Sequence, residues 1–161
     1  MNYFEHKKGF GLVEIVISVA IVGTVFSSFF FFYRQALILS QKTTTLVQTN
    51  MLLVEGVEVV KFLRDDSWNT NLLTLATGTP HYLLFTSGDW EVAAVSSAPI
   101  DGIYTRWFEL DDVYRDGNDD IAVSGTYDPG TLKLTMYIDA RERDATSTEF
   151  VSTYITDIFG N

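Results

Sequence analysis

The chain has 161 residues, enough for one domain with an appendage, and its formal net charge of −10 is unevenly placed: residues 64–161 carry −11. Such an acidic carboxy-terminal part lacks the clustered Lys and Arg that a nucleic-acid surface needs to displace counterions. The absence of cysteine excludes disulfides, thiolate metal sites and cysteine nucleophiles, so a core must be held by burial alone, for which 47% hydrophobic and 14% aromatic residues supply the material.

The first nine residues form a short basic leader with Lys7 and Lys8 ahead of Gly9 and Phe10. Nineteen uncharged residues then separate Glu14 from Arg34, Ile15 to Tyr33. As an α-helix they span about 28 Å at 1.5 Å per residue, close to the roughly 30 Å of a bilayer's hydrocarbon core. The lysines before the run place the amino terminus in the cytoplasm. The run is too long for the apolar part of an ordinary secretory signal, and no small-x-small cleavage site follows Tyr33. Helical spacing continues beyond it, with Leu46, Asn50, Leu53, Val57 and Val60 in one stripe and Val47, Met51 and Val54 beside it. One helix is therefore expected from about Phe10 to Arg64, roughly 80 Å long. Residues 10–39 form its membrane-apolar half and residues 40–64 its amphipathic half.

A carboxylate at the edge of such a segment needs a reason, because an acidic residue at the centre of a membrane helix costs about 2.5–3.5 kcal/mol on insertion scales, and less near the edge. The stretch "KKGFGLVEIVISVAIV" resembles the amino-terminal signature of type IV pilins and of the pseudopilins of type II secretion and competence systems. The resemblance rests on Lys7, Lys8, Gly9, Phe10 and Glu14, and on the apolar helix that follows. It implies cleavage after Gly9 by a membrane prepilin peptidase, N-methylation of Phe10, and polymerisation with other pilin subunits through the helix. The new α-amine of Phe10 would lie one turn from Glu14. Pairing Glu14 with the amine of a neighbouring subunit would relieve both charges and fix the axial offset between subunits. A pair with the subunit's own amine, or simple residence at headgroup depth, are the competing uses. Many relatives carry a proline in this half of the helix; here none lies between Phe10 and Tyr33, and Gly23 is the flexible point.

Residues 65–161 read as a β-rich head. "RDDSWNTN" suggests a helix end and turn, and "LLTLATGTP" a connection. "HYLLF" and "WEVAAV", separated by "TSGD", read as a hairpin. "GIYTRWFELDDVYR", "IAVSGTY", "TLKLTMYID" and "TEFVSTYITDIF" are further strands, with "TYDPGT" as a turn. In "TLKLTMYID" Leu132, Leu134, Met136 and Ile138 alternate with polar or aromatic positions, so one face is buried. The fold expected is α+β: an antiparallel sheet covered by the amphipathic half of the long helix.

Other sites are thin. Asp116, Asn118 and Asp120 begin as a calcium loop does, but Ile121 stands where glycine is wanted and no glutamate follows at the twelfth place; a polar hairpin turn is the expectation. His6 lies in the leader and His81 stands alone at a strand start, too few for a histidine-rich zinc site. Arg141 and Arg143 alternate with Glu142 and Asp144, a self-paired solvated segment. With no nucleophile–base set readable, no enzyme, cofactor or metal is expected. The expectation is a structural filament subunit, held single-pass in the cytoplasmic membrane with its amino terminus inside and carried to the envelope or cell surface on assembly. A membrane-anchored binding domain is the alternative.

Overall fold

The computed structural model describes residues 11–96, 98–141 and 146–160. The leader with Lys7, Lys8, Gly9 and Phe10, and the Glu142–Asp144 segment with Arg143, lie outside the described residues. The fold is α+β, with a long amino-terminal helix and a carboxy-terminal antiparallel sheet. The helix, α1, runs Leu12–Asp66, 55 residues without interruption. A four-residue helix, α2 (Trp68–Asn71), follows where a turn is expected; the Ser67 hydroxyl caps it by accepting from the Thr70 amide. The chain divides into two compact units, residues 1–44 and residues 45–161.

In the second unit six strands form one sheet: β1 (His81–Thr86), β2 (Asp89–Ala93), β3 (Tyr104–Arg115), β4 (Ile121–Ala122), β5 (Thr126–Arg141) and β6 (Thr146–Thr156). Their order is β2-β1-β3-β5-β6, with β4 paired to the end of β3. The hairpin of β1 and β2 closes through Ser87 and Gly88, both at positive φ, which is the turn geometry that two-residue hairpins favour. Alternation along β5 buries Leu132, Leu134, Met136, Ile138 and Ala140, opposite Tyr104, Phe108 and Leu110 of β3. The "DPG" segment is not a turn between strands. It belongs to β5, where Asp112 pairs Leu132 and the next residue, Val113, pairs Asp128, leaving Pro129, Gly130 and Thr131 as a bulge.

The part of α1 from Thr45 onward covers the inner face of this sheet, and it does so with part of the stripe the spacing suggests: Leu53 and Val60 are buried and Val57 packs against the core, while Leu46 and Asn50 do not take part. Thr49, Leu53, Gly56, Val59, Val60 and Leu63 are buried. Leu46, Val47, Met51 and Val54 remain exposed, and so does Asn50. This helix is apolar on two opposite sides, so periodicity alone does not choose between them. The buried side carries Gly56, over which Met136 and Arg106 sit so closely that an added Cβ would come within 2.8 Å of the Met136 sulfur and 3.0 Å of Arg106 Cδ. Leu72 and Trp68, both about 1% exposed, close the end of the core beyond α1, each such side chain contributing about 1.5–3 kcal/mol by burial.

Candidate functional site

The amino-terminal helix is the candidate site, and its chemistry starts at its first turn. The Glu14 and Ile15 amides both donate to the Gly11 carbonyl, at 3.0 and 3.2 Å, which opens the helix. Glu14 thus lies in the first turn, where a carboxylate is favoured by the helix dipole. Its side chain belongs to an exposed residue, as does every residue from Gly11 to Thr44. Val25, Phe29, Phe30, Phe31 and Phe32 are 63–72% exposed. Aliphatic and aromatic surface of this extent calls for lipid or protein around it. By length and composition α1 qualifies as a candidate membrane span, near the amino terminus.

The hydroxyls inside the run bond back to helix carbonyls, as those of Thr43 and Thr44 beyond it also do. Ser18 donates to the Glu14 carbonyl at 2.7 Å, Thr24 to that of Ile21 at 2.8 Å, and Ser27 and Ser28 to those of Gly23 and Thr24, each at 2.9 Å. Each of these hydroxyls therefore has its proton satisfied within the helix, an arrangement compatible with apolar surroundings. Arg34 is the first charge after Glu14.

Where the helix meets the sheet, polar anchors set the contact. Tyr104 donates to Gln48 Oε1 at 2.7 Å, and Arg106 Nη1 to the Leu52 carbonyl at 2.9 Å. Arg106 is buried; its Nη2 stands 3.5 Å from Glu55 and its guanidinium 5.6 Å from the centre of the Trp90 ring, while Nε has no partner. Loss of water lowers its pKa below the usual arginine value, against the opposing pull of Glu55. Sequence reading does not single out Arg106, and it marks Gly56 only as a glycine that the long helix tolerates, which it does. For Arg106 the signal was present: Tyr104, Arg106, Phe108 and Leu110 alternate in β3, which puts a guanidinium on the buried face.

The acidic loop after β3 is a turn, as expected. Asp116 Oδ1 accepts the amides of Asn118 at 2.8 Å and Asp120 at 3.1 Å. Beside it Arg115 Nε donates to Asp128 at 2.7 Å and lies 3.6 Å from Asp119, so the protein's own cation engages two of the carboxylates at this corner. Among the described residues no three His, Asp or Glu side chains converge as a metal site would need. His81 is buried against Phe108, with Nε2 at 2.8 Å from the Ala76 carbonyl.

Arg115 also holds the Asp128 carboxyl below its ordinary range, helped by Thr131 and the Gly130 amide and opposed by partial burial. A carboxyl depressed in the folded state stabilises the fold above its unfolded pKa, and that contribution is lost as pH falls through the folded value. Asp128→Asn is therefore expected to lower the denaturation midpoint at pH 7. It should also flatten the loss of stability below about pH 4. Denaturant titrations of both proteins across pH 2–7 check it; parallel pH profiles count against the ion pair.

The comparisons with known proteins leave the assignment to these physical features: no family model matches the chain, and no curated protein or solved structure is significantly similar to it.

Proposed function

We propose that this chain is a prepilin-type subunit of a type IV pilus or of the related secretion and competence filaments. In this reading it is cleaved after Gly9 by a prepilin peptidase, N-methylated on Phe10, held in the cytoplasmic membrane by α1, and polymerised with other pilin subunits through that helix. The observation that carries the reading is the first half of α1: apolar, exposed along residues 11–44, and bearing one carboxylate in its first turn. The basic leader and the Gly9–Phe10 junction support it. So does the second apolar stripe of α1, Val47, Met51 and Val54, which the head's own sheet leaves uncovered.

The electrostatics give Glu14 its role. Cleavage creates a terminal ammonium at Phe10, and a subunit in apolar packing then presents a cation and an anion at nearly the same depth. Each is expensive alone, and a neighbour at the right axial offset pairs them. The function that results is structural: the helix assembles and the head forms the surface.

The intact mass of the chain purified from cells with an active peptidase tests this. Loss of Met1–Gly9 together with one added methyl group on Phe10 is the expected result. A chain that keeps its leader is a tethered domain and ends the proposal.

A further inference from the structure

The chain holds two Asp-Gly pairs, Asp101–Gly102 and Asp116–Gly117, both exposed and both at turns. In any such pair the glycine nitrogen can attack the aspartate's own carboxyl carbon, because glycine has no Cβ to crowd the approach. The fold treats the two pairs differently. The Gly102 amide donates to the Pro99 carbonyl at 3.1 Å, and the amides of Ile103 and Tyr104 donate to the Ile100 carbonyl at 3.0 and 2.9 Å. That turn is locked and its nitrogen is engaged. Among the described residues nothing holds the Asp101 carboxyl near it.

At Asp116–Gly117 both conditions are reversed. Among the described residues the Gly117 amide donates to nothing. The loop around it is tied down: the Asp116 amide donates to the Asp120 carbonyl at 2.9 Å, and the Asp119 amide to the Asp116 carbonyl at 3.1 Å. The Asp116 carboxyl is folded back over the loop, since its Oδ1 accepts the amides of Asn118 at 2.8 Å and Asp120 at 3.1 Å. The bond to Asn118 closes a ring that contains the Gly117 nitrogen, so the carboxyl carbon is kept beside that nitrogen instead of in solvent. The same two donors draw electron density from the carboxyl and make its carbon a better electrophile. Apart from its chain neighbours, nothing lies within 4 Å of where a Gly117 Cβ would be, which leaves room for a ring to form and for water to enter.

We propose that Asp116 is a site of spontaneous modification, at which the folded head converts aspartate to isoaspartate. The Gly117 nitrogen bonds to Asp116 Cγ and gives up its proton. One carboxyl oxygen takes that proton and a second from solvent, and leaves as water. The product is a five-membered succinimide. Water then adds to one of its two carbonyls. Opening at Cγ restores aspartate; opening at the old main-chain carbonyl breaks its bond to nitrogen and leaves isoaspartate, with the chain running through Cβ and Cγ. One water leaves and one returns, so the step needs no oxidant and no enzyme. The product lengthens the loop by one carbon and turns the carbonyl that accepts the Asp119 amide into a free carboxylate. Beyond the loop only Ile121 and Ala122 pair with β3, whose core positions are held by β5. The change is thus local, a mark of age on the exposed head, and it does not depend on the filament reading.

Ageing the full-length chain in detergent micelles, at neutral pH in heavy-oxygen water, tests this, because each ring opening carries one solvent oxygen into the product. The aged chain is digested with trypsin in ordinary water. Arg64, Arg106, Arg115 and Lys133 place Asp101 and Asp116 in different peptides, residues 65–106 and residues 116–133. Label and isoaspartate, located by fragmentation, should accumulate at Asp116 at least tenfold faster than at Asp101. The same chain aged in guanidinium chloride is the second arm: without the fold the two Asp-Gly pairs are chemically alike and should react at similar rates. Equal rates in the folded chain, or faster reaction at Asp101, overturn the proposal. So does a tenfold preference that persists in denaturant, since the fold would then not be its cause. Gly117→Val crowds the attacking nitrogen and should remove the label from residues 116–133; label that persists there puts the reaction at another carboxyl and also overturns it.

Discussion

Gly56→Leu is expected to destabilise the head, by a net loss of about 2 kcal/mol. A Cβ alone would come within 2.8 Å of the sulfur of Met136, itself fully buried, and within 3.0 Å of Arg106 Cδ. Leucine adds three further carbons in the same direction. Overpacking a closed core costs typically 1–3 kcal/mol and occasionally more, and the helix-propensity gain of about 1 kcal/mol on replacing glycine offsets only part of it. Against a total stability of about 5–15 kcal/mol the net loss is large. Arg106→Met provides the contrast. The guanidinium is buried with Nε unpartnered and with Glu55 at 3.5 Å as its counterion, a poorly compensated charge. A thioether of similar length removes the desolvation penalty and leaves Leu52 its helical partner, so Arg106→Met should hold or raise stability, by about 1 kcal/mol. Denaturation of the full chain in micelles, followed by the fluorescence of the buried Trp68, measures both. A Gly56→Leu chain as stable as the parent would mean that α1 and the sheet are not packed as described.

These two residues mark the boundary of what the sequence discloses. The length of α1 was legible because nothing in "LVEIVISV…KFLRDD" breaks a helix, and the head's strands were legible because "TLKLTMYID" alternates and "TSGD" carries a positive-φ turn. The face of α1 that meets the sheet was legible only in part: Leu53, Val57 and Val60 of the expected stripe do meet it, but the exposed Val47, Met51 and Val54 are just as apolar. What decides between them is the partner surface: a sheet presenting Arg106 and Met136 needs a helix with a glycine in front of it. The "DPG" bulge was hidden for a related reason. Proline and glycine signal a break equally in a turn or in a bulged strand, and the distinction lies in Asp128, which accepts the Gly130 amide at 3.0 Å and Arg115 Nε at 2.7 Å across the bulge. At the candidate site the legibility runs the other way. The leader and Phe10 are read from sequence, while the fold supplies the exposure of the helix that makes Glu14 matter.

Glu14→Leu is expected to abolish incorporation into filaments while leaving membrane insertion and the head intact. Insertion should persist because leucine is better suited to the bilayer than a carboxylate, by roughly 3 kcal/mol at most at this edge position. The head should persist because Glu14 lies in the unit of residues 1–44, outside the core formed by residues 45–161. Assembly should fail because the ammonium of a neighbouring Phe10 would be left in apolar packing without an anion, and breaking one half of a buried pair costs about 3–5 kcal/mol. That is a factor of more than a hundred in the equilibrium for adding each subunit. Glu14→Asp, shorter by one methylene, should assemble weakly, since the charge is kept and the reach is not. Glu14→Gln separates charge from size: it fills the same space and hydrogen-bonds, so a requirement for the anion predicts failure close to that of leucine. Sheared filaments probed for this chain, against its amount in the membrane, give the ratio that decides. A leucine variant that enters filaments as the parent does would remove the register role from Glu14, and with it the physical reason for a carboxylate at this depth.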